Sequence, residues 1–162
     1  MTTIAWDGTT LASDSQSTNS DAVSSLSEQK IFTPCGGDWF INGERIIAIG
    51  TAGECGIEEQ LFTILPNNLT YKTEFTTEPD FSVIAITDTG RAWLISKDEG
   101  KVHASIWPRK ESVAIGSGHM IARTAMKCGK SAIEAVNIAI EMDVYSGGAV
   151  QSFTINNALH NQ

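Results

Sequence analysis

The first third of the chain alternates short apolar, β-prone runs with turn signals, a pattern typical of antiparallel hairpins. The pairs Asp7-Gly8 and Asn42-Gly43 are strong two-residue hairpin turns. Residues 15–29 are rich in Ser, Asn and Asp, which predicts a loop with a short strand near Val23. Strands are predicted in this region at residues 2–6, 9–14, 30–32, 39–41 and 45–50.

Three later segments carry apolar residues at helical spacing. The first follows Gly53 and is ended by Pro66, and the second spans residues 117–127 before Gly129. The third opens with a capping box, Ser131 followed by Glu134. Strands are predicted around them at residues 81–87, 91–96, 102–106, 112–115 and 149–155. This order predicts an α+β fold with helices on antiparallel sheets, in a single domain covering residues 1–162.

Composition narrows the class of protein. Hydrophobic residues make up 41% and charged residues 19% of the 162 residues, which favours a folded core. The net charge of −8 and the absence of a basic patch argue against nucleic acid. Short apolar runs and no signal-peptide pattern predict a cytoplasmic protein without membrane spans. Cysteine and histidine spacing predicts free, buried thiols and no metal site at Cys35, Cys55, Cys128, His103, His119 and His160.

Thr2 is the first residue with potential chemistry. Once Met1 is removed, Thr2 would carry a hydroxyl nucleophile and an α-amine whose ordinary pKa of about 7.7–8.0 suits a general base. A lysine near that hydroxyl would favour its alkoxide, and an aspartate would hold the lysine charged, which are roles open to Lys30 and Asp14. The alternative is that Asp14 caps a turn, Lys30 is solvated and Thr2 has no role.

Six segments in order carry a resemblance to a known family. They are Thr2-Thr3-Ile4, Ala12-Ser13-Asp14-Ser15-Gln16-Ser17-Thr18, Lys30-Ile31, Thr51-Ala52-Gly53, Ala114-Ile115-Gly116-Ser117-Gly118 and Asp143-Val144-Tyr145-Ser146-Gly147-Gly148-Ala149-Val150. Together they resemble the amino-terminal-nucleophile (Ntn) hydrolases of the proteasome β-subunit and HslV type. The resemblance implies a four-layer αββα sandwich. The short segment between the first helix and Phe81 predicts that one helical layer is reduced.

The resemblance also implies a threonine-type peptidase or amidase. Thr2 would form the acyl-enzyme, Lys30 with Asp14 would lower the pKa of its hydroxyl, and the Gly53 N–H would donate to the oxyanion. Three further residues would surround the α-amine, namely Ser117, Asp143 and Ser146. Removal of Met1 would be the only processing step, and no metal or organic cofactor is implied.

For the substrate, the resemblance implies an added β-strand alongside the backbone near Thr18 and Thr51. An apolar specificity pocket is expected from Phe32, Thr51 and Cys55. A peptide or protein substrate, a homo-oligomer and an ATPase unfoldase are the expected partners by analogy.

Other interpretations stay open at this stage. Ser117 would also serve as a helix N-cap, Asp143 and Ser146 as groups that satisfy a helix-ending loop, and Gly53 as a packing requirement. At the level of function, a catalytically silent assembly or binding module and a small-molecule amidase are the two alternatives.

Overall fold

The computed structural model describes residues 1–155, so His160 and the last residues of the predicted domain lie outside it. Strands and helices follow one another in the predicted order. The strands are β1 Thr3–Trp6, β2 Thr10–Ser13, β3 Ser17–Asn19, β4 Ala22–Ser25, β5 Ile31–Phe32, β6 Trp39–Ile41, β7 Glu44–Gly53, β8 Phe81–Thr87, β9 Ala92–Lys97, β10 Ser105–Arg109, β11 Val113–Gly116 and β12 Gln151–Thr154. The helices are α1 Ile57–Ile64, α2 His119–Lys127 and α3 Ala132–Met142, with a 3-10 turn at Leu65–Asn67.

The strands form two main antiparallel sheets. Sheet I has the order β11-β1-β2-β12. Sheet II has the order β10-β9-β8-β7-β5, and β6 pairs with β7 next to β5. Strands β3 and β4 form a separate hairpin. The protein is therefore a mixed α and β fold with antiparallel sheets and three described helices.

Strand periodicity divides the core into three clusters. On β1, Ile4 and Trp6 face sheet II, whereas Ala5 faces α2 and α3, as the two-residue period of a strand requires. The cluster against α2 and α3 is built on small side chains, including Ala12 and Ala114 of sheet I. The opposite face of sheet II packs against α1 and the 3-10 turn. Each cluster thus lies between two layers of the fold, either the two sheets or a sheet and the helices that cover it.

Most predicted elements are confirmed, and β10 is the main exception. The predicted strand at residues 102–106 is wrong, because the strand begins at Ser105. The backbone of Val102 instead accepts a hydrogen bond from the Phe75 N–H at 2.7 Å. Nearby, the buried Lys97 ammonium donates to the carbonyl oxygens of Thr77, Asp98 and Lys101, which fixes the preceding turn.

Two smaller points also differ from the expectations. Residues 15–29 contain the β3–β4 hairpin rather than one short strand. The three cysteines are free, as predicted, but they are exposed rather than buried. Of the helices in residues 1–155, none has both the length and the apolar character needed to cross a membrane.

The capping box at α3 gives a first testable prediction. The Ser131 hydroxyl accepts from the Glu134 N–H at 3.2 Å, and the Glu134 carboxylate accepts from the Ser131 N–H at 3.3 Å. Replacing an N-cap serine by alanine typically costs about 1 kcal/mol. We expect Ser131→Ala to lower the free energy of unfolding by about that amount in urea denaturation. The exposed Ser112→Ala is the control, and an equal effect of the two substitutions would contradict the prediction.

Candidate active site

Thr2 lies at the open end of the space between the two sheets. A cleft of about 670 Å³ is lined by residues of both sheets, and Thr2, Gly53 and Ser117 are among them. A smaller side cavity of about 130 Å³ adjoins it and contains Lys30 and Thr51. We call these two spaces the Thr2 cleft and the side cavity. They share the lining residues Met1, Thr2, Thr18, Gly53 and Cys55.

A buried ion pair lies beside Thr2. The Lys30 ammonium is 2.7 Å from the Asp14 carboxylate, and both side chains are buried. The same ammonium donates to the Gln16 carbonyl and, at 3.4 Å, to the Met1 carbonyl. The Met1 carbonyl belongs to the peptide bond that joins Met1 to Thr2. The lysine charge is therefore held next to the backbone nitrogen of Thr2.

Asp14 fixes this lysine because its own oxygens are fully engaged. One carboxylate oxygen accepts from Lys30 and from the Thr3 N–H at 3.1 Å. The other accepts from the N–H groups of Gln16 at 3.2 Å and Gly147 at 3.0 Å. Burial lowers the pKa of Lys30 below its ordinary value, although the hydrogen bond and charge of Asp14 act in the opposite direction. Lys30 therefore supplies a positive charge but loses its proton more readily than an exposed lysine does.

A second polar cluster stands against the other side of Thr2. One oxygen of Asp143 accepts from the hydroxyls of Ser117 and Ser146, each at 2.7 Å. The Ser117 hydroxyl also lies 3.3 Å from the Thr2 carbonyl oxygen. Burial raises the pKa of Asp143, but hydrogen bonds from Ser117, Ser146 and the Tyr145 N–H, with the charge of the terminal amine, leave it below its ordinary value. The cluster is therefore anionic and faces the start of the chain.

Two glycines permit the close approach of these segments. Gly116 has a φ of +92°, and a Cβ atom there would lie only 1.8 Å from the Thr2 carbonyl oxygen. Gly53 has a φ of +125°, and a Cβ atom there would lie 2.4 Å from the Asp80 carbonyl oxygen. Packing alone is thus a sufficient reason for glycine at position 53.

Seven of the eleven predicted site residues line the two spaces. Three more, Asp14, Asp143 and Ser146, do not line them but are hydrogen-bonded behind Lys30 and Ser117.

The exception is Phe32, so the prediction that it shares a pocket with Thr51 and Cys55 is wrong. Along β5, Ile31 packs between the two sheets, so Phe32 faces the opposite side, toward α1. Phe32 instead lines a different cavity and packs edge-on against Phe62, with ring centroids 5.2 Å apart.

Several alternative interpretations can now be compared with the geometry. Asp14 and Lys30 are neither a turn cap nor solvated, since they form the buried pair. The N-cap of α2 is Gly118 and has no side-chain cap bond, so Ser117 does not cap that helix. Asp143 does serve the loop that ends α3, because it also accepts from the Tyr145 N–H at 3.2 Å. That structural role accompanies its contacts with the two serine hydroxyls.

Sequence reasoning missed three residues that contribute to the site. The Thr3 hydroxyl lies 2.6 Å from that of Ser146 and joins Asp143 to β1. The Gln16 side chain donates to the Val144 carbonyl at 3.0 Å. Glu58 of α1 lines the side cavity. For Glu58 a signal was available, because the first turn of a helix that follows Gly53 must lie beside Gly53.

Comparisons with known proteins add information about the fold. No protein-family model matches the sequence, and no curated protein matches it. Among solved structures, the chain is similar to Thiobacillus denitrificans BPH in complex with epoxomicin, with a TM-score of 0.60 and 15% identity. It is also similar to Thiobacillus denitrificans BPH alone, with a TM-score of 0.58 and 15% identity. Each alignment covers 96% of this chain and 98% of the other. At this identity the similarity concerns the fold.

Gly116 provides a stability test with a matched control. Gly129 has the same φ of +92°, but a Cβ atom there would meet nothing within 4 Å. Gly129→Ala should therefore cost only the left-handed backbone penalty, about 1–2 kcal/mol. Gly116→Ala carries that penalty and also displaces the Thr2 carbonyl, so we expect a clearly larger loss or failure to fold. Denaturant unfolding measures both, and equal losses would disprove the close contact.

The lowered pKa of Asp143 predicts a pH dependence of stability. The unfolded state binds a proton more readily, so this carboxylate stabilises the fold above its ordinary pKa of 3.8. That stabilisation is lost as the pH falls through the lower, folded-state pKa. Asp143→Asn should thus be less stable than the wild type at neutral pH, with a difference that shrinks below 3.8. Thermal unfolding against pH measures it, and the exposed Asp21→Asn is the control.

Proposed function

We propose that the protein is a threonine-type peptidase or amidase that uses Thr2 as its nucleophile once the residue before it has been removed. The observation that carries this proposal is the buried Lys30–Asp14 pair, held against the peptide bond that precedes Thr2. A buried charge pair is costly to maintain, and here its lysine lines the side cavity that adjoins the Thr2 cleft. The position of the Lys30–Asp14 pair beside Thr2 therefore favours a catalytic role over a purely structural one.

In the proposed reaction, the Thr2 hydroxyl oxygen attacks a substrate carbonyl carbon, and the Thr2 α-amine accepts the hydroxyl proton. The tetrahedral intermediate collapses, the C–N bond breaks, and the leaving amine takes the proton. The remaining ester is then attacked by water, with the α-amine again as base, which releases a carboxylic acid and restores Thr2. Lys30 stabilises the developing alkoxide by its charge.

Further side chains and backbone groups would assist. Ser117, Asp143 and Ser146 would orient the Thr2 α-amine, and the contact of the Ser117 hydroxyl with the Thr2 carbonyl oxygen and with Asp143 supports this role. The Gly53 N–H would donate to the oxyanion, and the backbone near Thr18 and Thr51 would pair with a peptide. No metal or organic cofactor takes part in this scheme.

The layer arrangement supports an Ntn-hydrolase fold. Helices α2 and α3 cover sheet I, sheet I packs on sheet II, and α1 with the 3-10 turn covers sheet II. We infer a four-layer αββα sandwich in which the layer containing α1 is reduced. A homo-oligomer and an ATPase unfoldase remain proposals by analogy with the proteasome and HslV type.

The decisive experiment is covalent labelling of Thr2 by a peptide epoxyketone. Its ketone and epoxide can join a hydroxyl and an amine of the same residue in one ring, with the full probe mass retained. The similar structure of BPH was obtained with epoxomicin, which supports including epoxomicin among the probes. We expect one adduct by intact-mass spectrometry on protein whose chain starts at Thr2.

Control variants test the α-amine, the Thr2 hydroxyl and Lys30 separately. Protein that retains Met1 should not be labelled, because its Thr2 nitrogen is an amide. Thr2→Ser should keep the adduct and Thr2→Ala should lose it, whereas Lys30→Met should slow labelling about 100- to 1,000-fold if it stabilises the alkoxide. Labelling of Thr2→Ala at the wild-type rate, or none of the protein that starts at Thr2, would refute the proposal. Hydrolysis of acylated small molecules but not of peptides would indicate the amidase alternative.

A further inference from the structure

The side cavity beside Thr2 is polar and acidic, which differs from the apolar pocket expected from the sequence. Two carboxylate side chains, Glu28 and Glu58, line it. The described residues that line it include no aromatic side chain and, apart from Met1, no large apolar one. The proposed function requires Met1 to be absent. A hydrophobic substrate side chain would therefore find little apolar surface in this cavity.

Glu58 is fixed in position on the first turn of α1. One carboxylate oxygen accepts from the Thr51 hydroxyl at 3.1 Å, and the other accepts from the Gly56 N–H at 3.1 Å. Thr51 is itself buried, so its hydroxyl is a firm anchor. A carboxylate has about four lone-pair sites in all. Glu58 thus keeps accepting capacity on both oxygens for a cation in the cavity.

The balance of charge in the side cavity is negative. Lys30 also lines it, but its ammonium is paired with Asp14 at 2.7 Å. Glu28 acts on Lys30 through its charge, so it lies close enough to contribute to the field there. In the adjoining Thr2 cleft, Glu54 and Asp80 add two more carboxylates. Among the side chains that line the two spaces, four carboxylates therefore stand against one ammonium, whose charge Asp14 already balances.

We propose that the side cavity binds a basic substrate side chain, lysine or arginine, and that Glu58 determines this specificity. This inference rests on the proposed function, because it assigns the side chain to the substrate residue whose carbonyl Thr2 attacks. Thr2 and Lys30 line the same cavity, so the side chain next to that carbonyl is the one that reaches it. The head group of the side chain forms charge-assisted hydrogen bonds with Glu58.

The test compares two peptide epoxyketones that differ only in the residue next to the ketone, arginine in one and leucine in the other. The rate of Thr2 adduct formation is measured for wild type, Glu58→Gln and Glu59→Gln, each starting at Thr2. Glu59 is exposed, neighbours Glu58 on α1 and does not line either space, which makes it the matched control. Glutamine preserves the size of Glu58 and an acceptor for Thr51.

We expect the arginine probe to react faster in wild type and in Glu59→Gln, with that preference reduced about ten- to a hundred-fold in Glu58→Gln. Equal or faster labelling by the leucine probe in wild type would overturn the inference while leaving the proposed function intact. A preference for arginine that survives Glu58→Gln would overturn the role of Glu58. No adduct with either probe would overturn the proposed function, and this inference with it.

Discussion

The buried contact between Lys30 and Asp14 is the interaction on which the rest of the site depends. Asp14 also accepts hydrogen bonds from backbone groups of Thr3, Gln16 and Gly147, so one carboxylate ties together β1, the segment after β2 and the loop after α3. Removing one partner of a buried pair typically costs about 3–5 kcal/mol, because the remaining charge stays uncompensated. The contacts that hold these three segments together therefore also hold the Lys30 charge beside Thr2.

Much of the fold could be predicted because its signals are local. The two-residue turn at Asn42-Gly43 and the box at Ser131 are each decided within a few residues. The hairpin at Asp7-Gly8 also forms, but Trp6 pairs with Leu11, so its connection is longer than the predicted two residues. The start of β10 could not be predicted, since the carbonyl group of Val102 pairs with the N–H of Phe75, which is distant in sequence. Local propensity carries no information on which distant donor will occupy a carbonyl group.

Some residues of the site could likewise be predicted from the sequence, and others could not. The order of motifs pointed to Asp14, Lys30 and Asp143, and the structure places all three near Thr2. The lining of the side cavity was predicted less well, because it depends on how α1 lies against β7. The alternation of side chains along β5 directs Phe32 toward α1, and the first turn of α1 places Glu58 in the lining of the side cavity. The polar residues around Thr2 follow from motifs, whereas the lining of the side cavity follows from tertiary packing.

The alanine-lined interface between sheet I and its two helices has a consequence for the alignment of the site. Ala5, Ala12 and Ala114 present only methyl groups to this interface, so the helices sit close to the sheet. The thickness of that layer sets how far Asp143, at the end of α3, stands from β1. A larger side chain within it would tilt α3 and shift the acid relative to Thr2. Positions that never touch the cleft therefore act as spacers that govern its geometry.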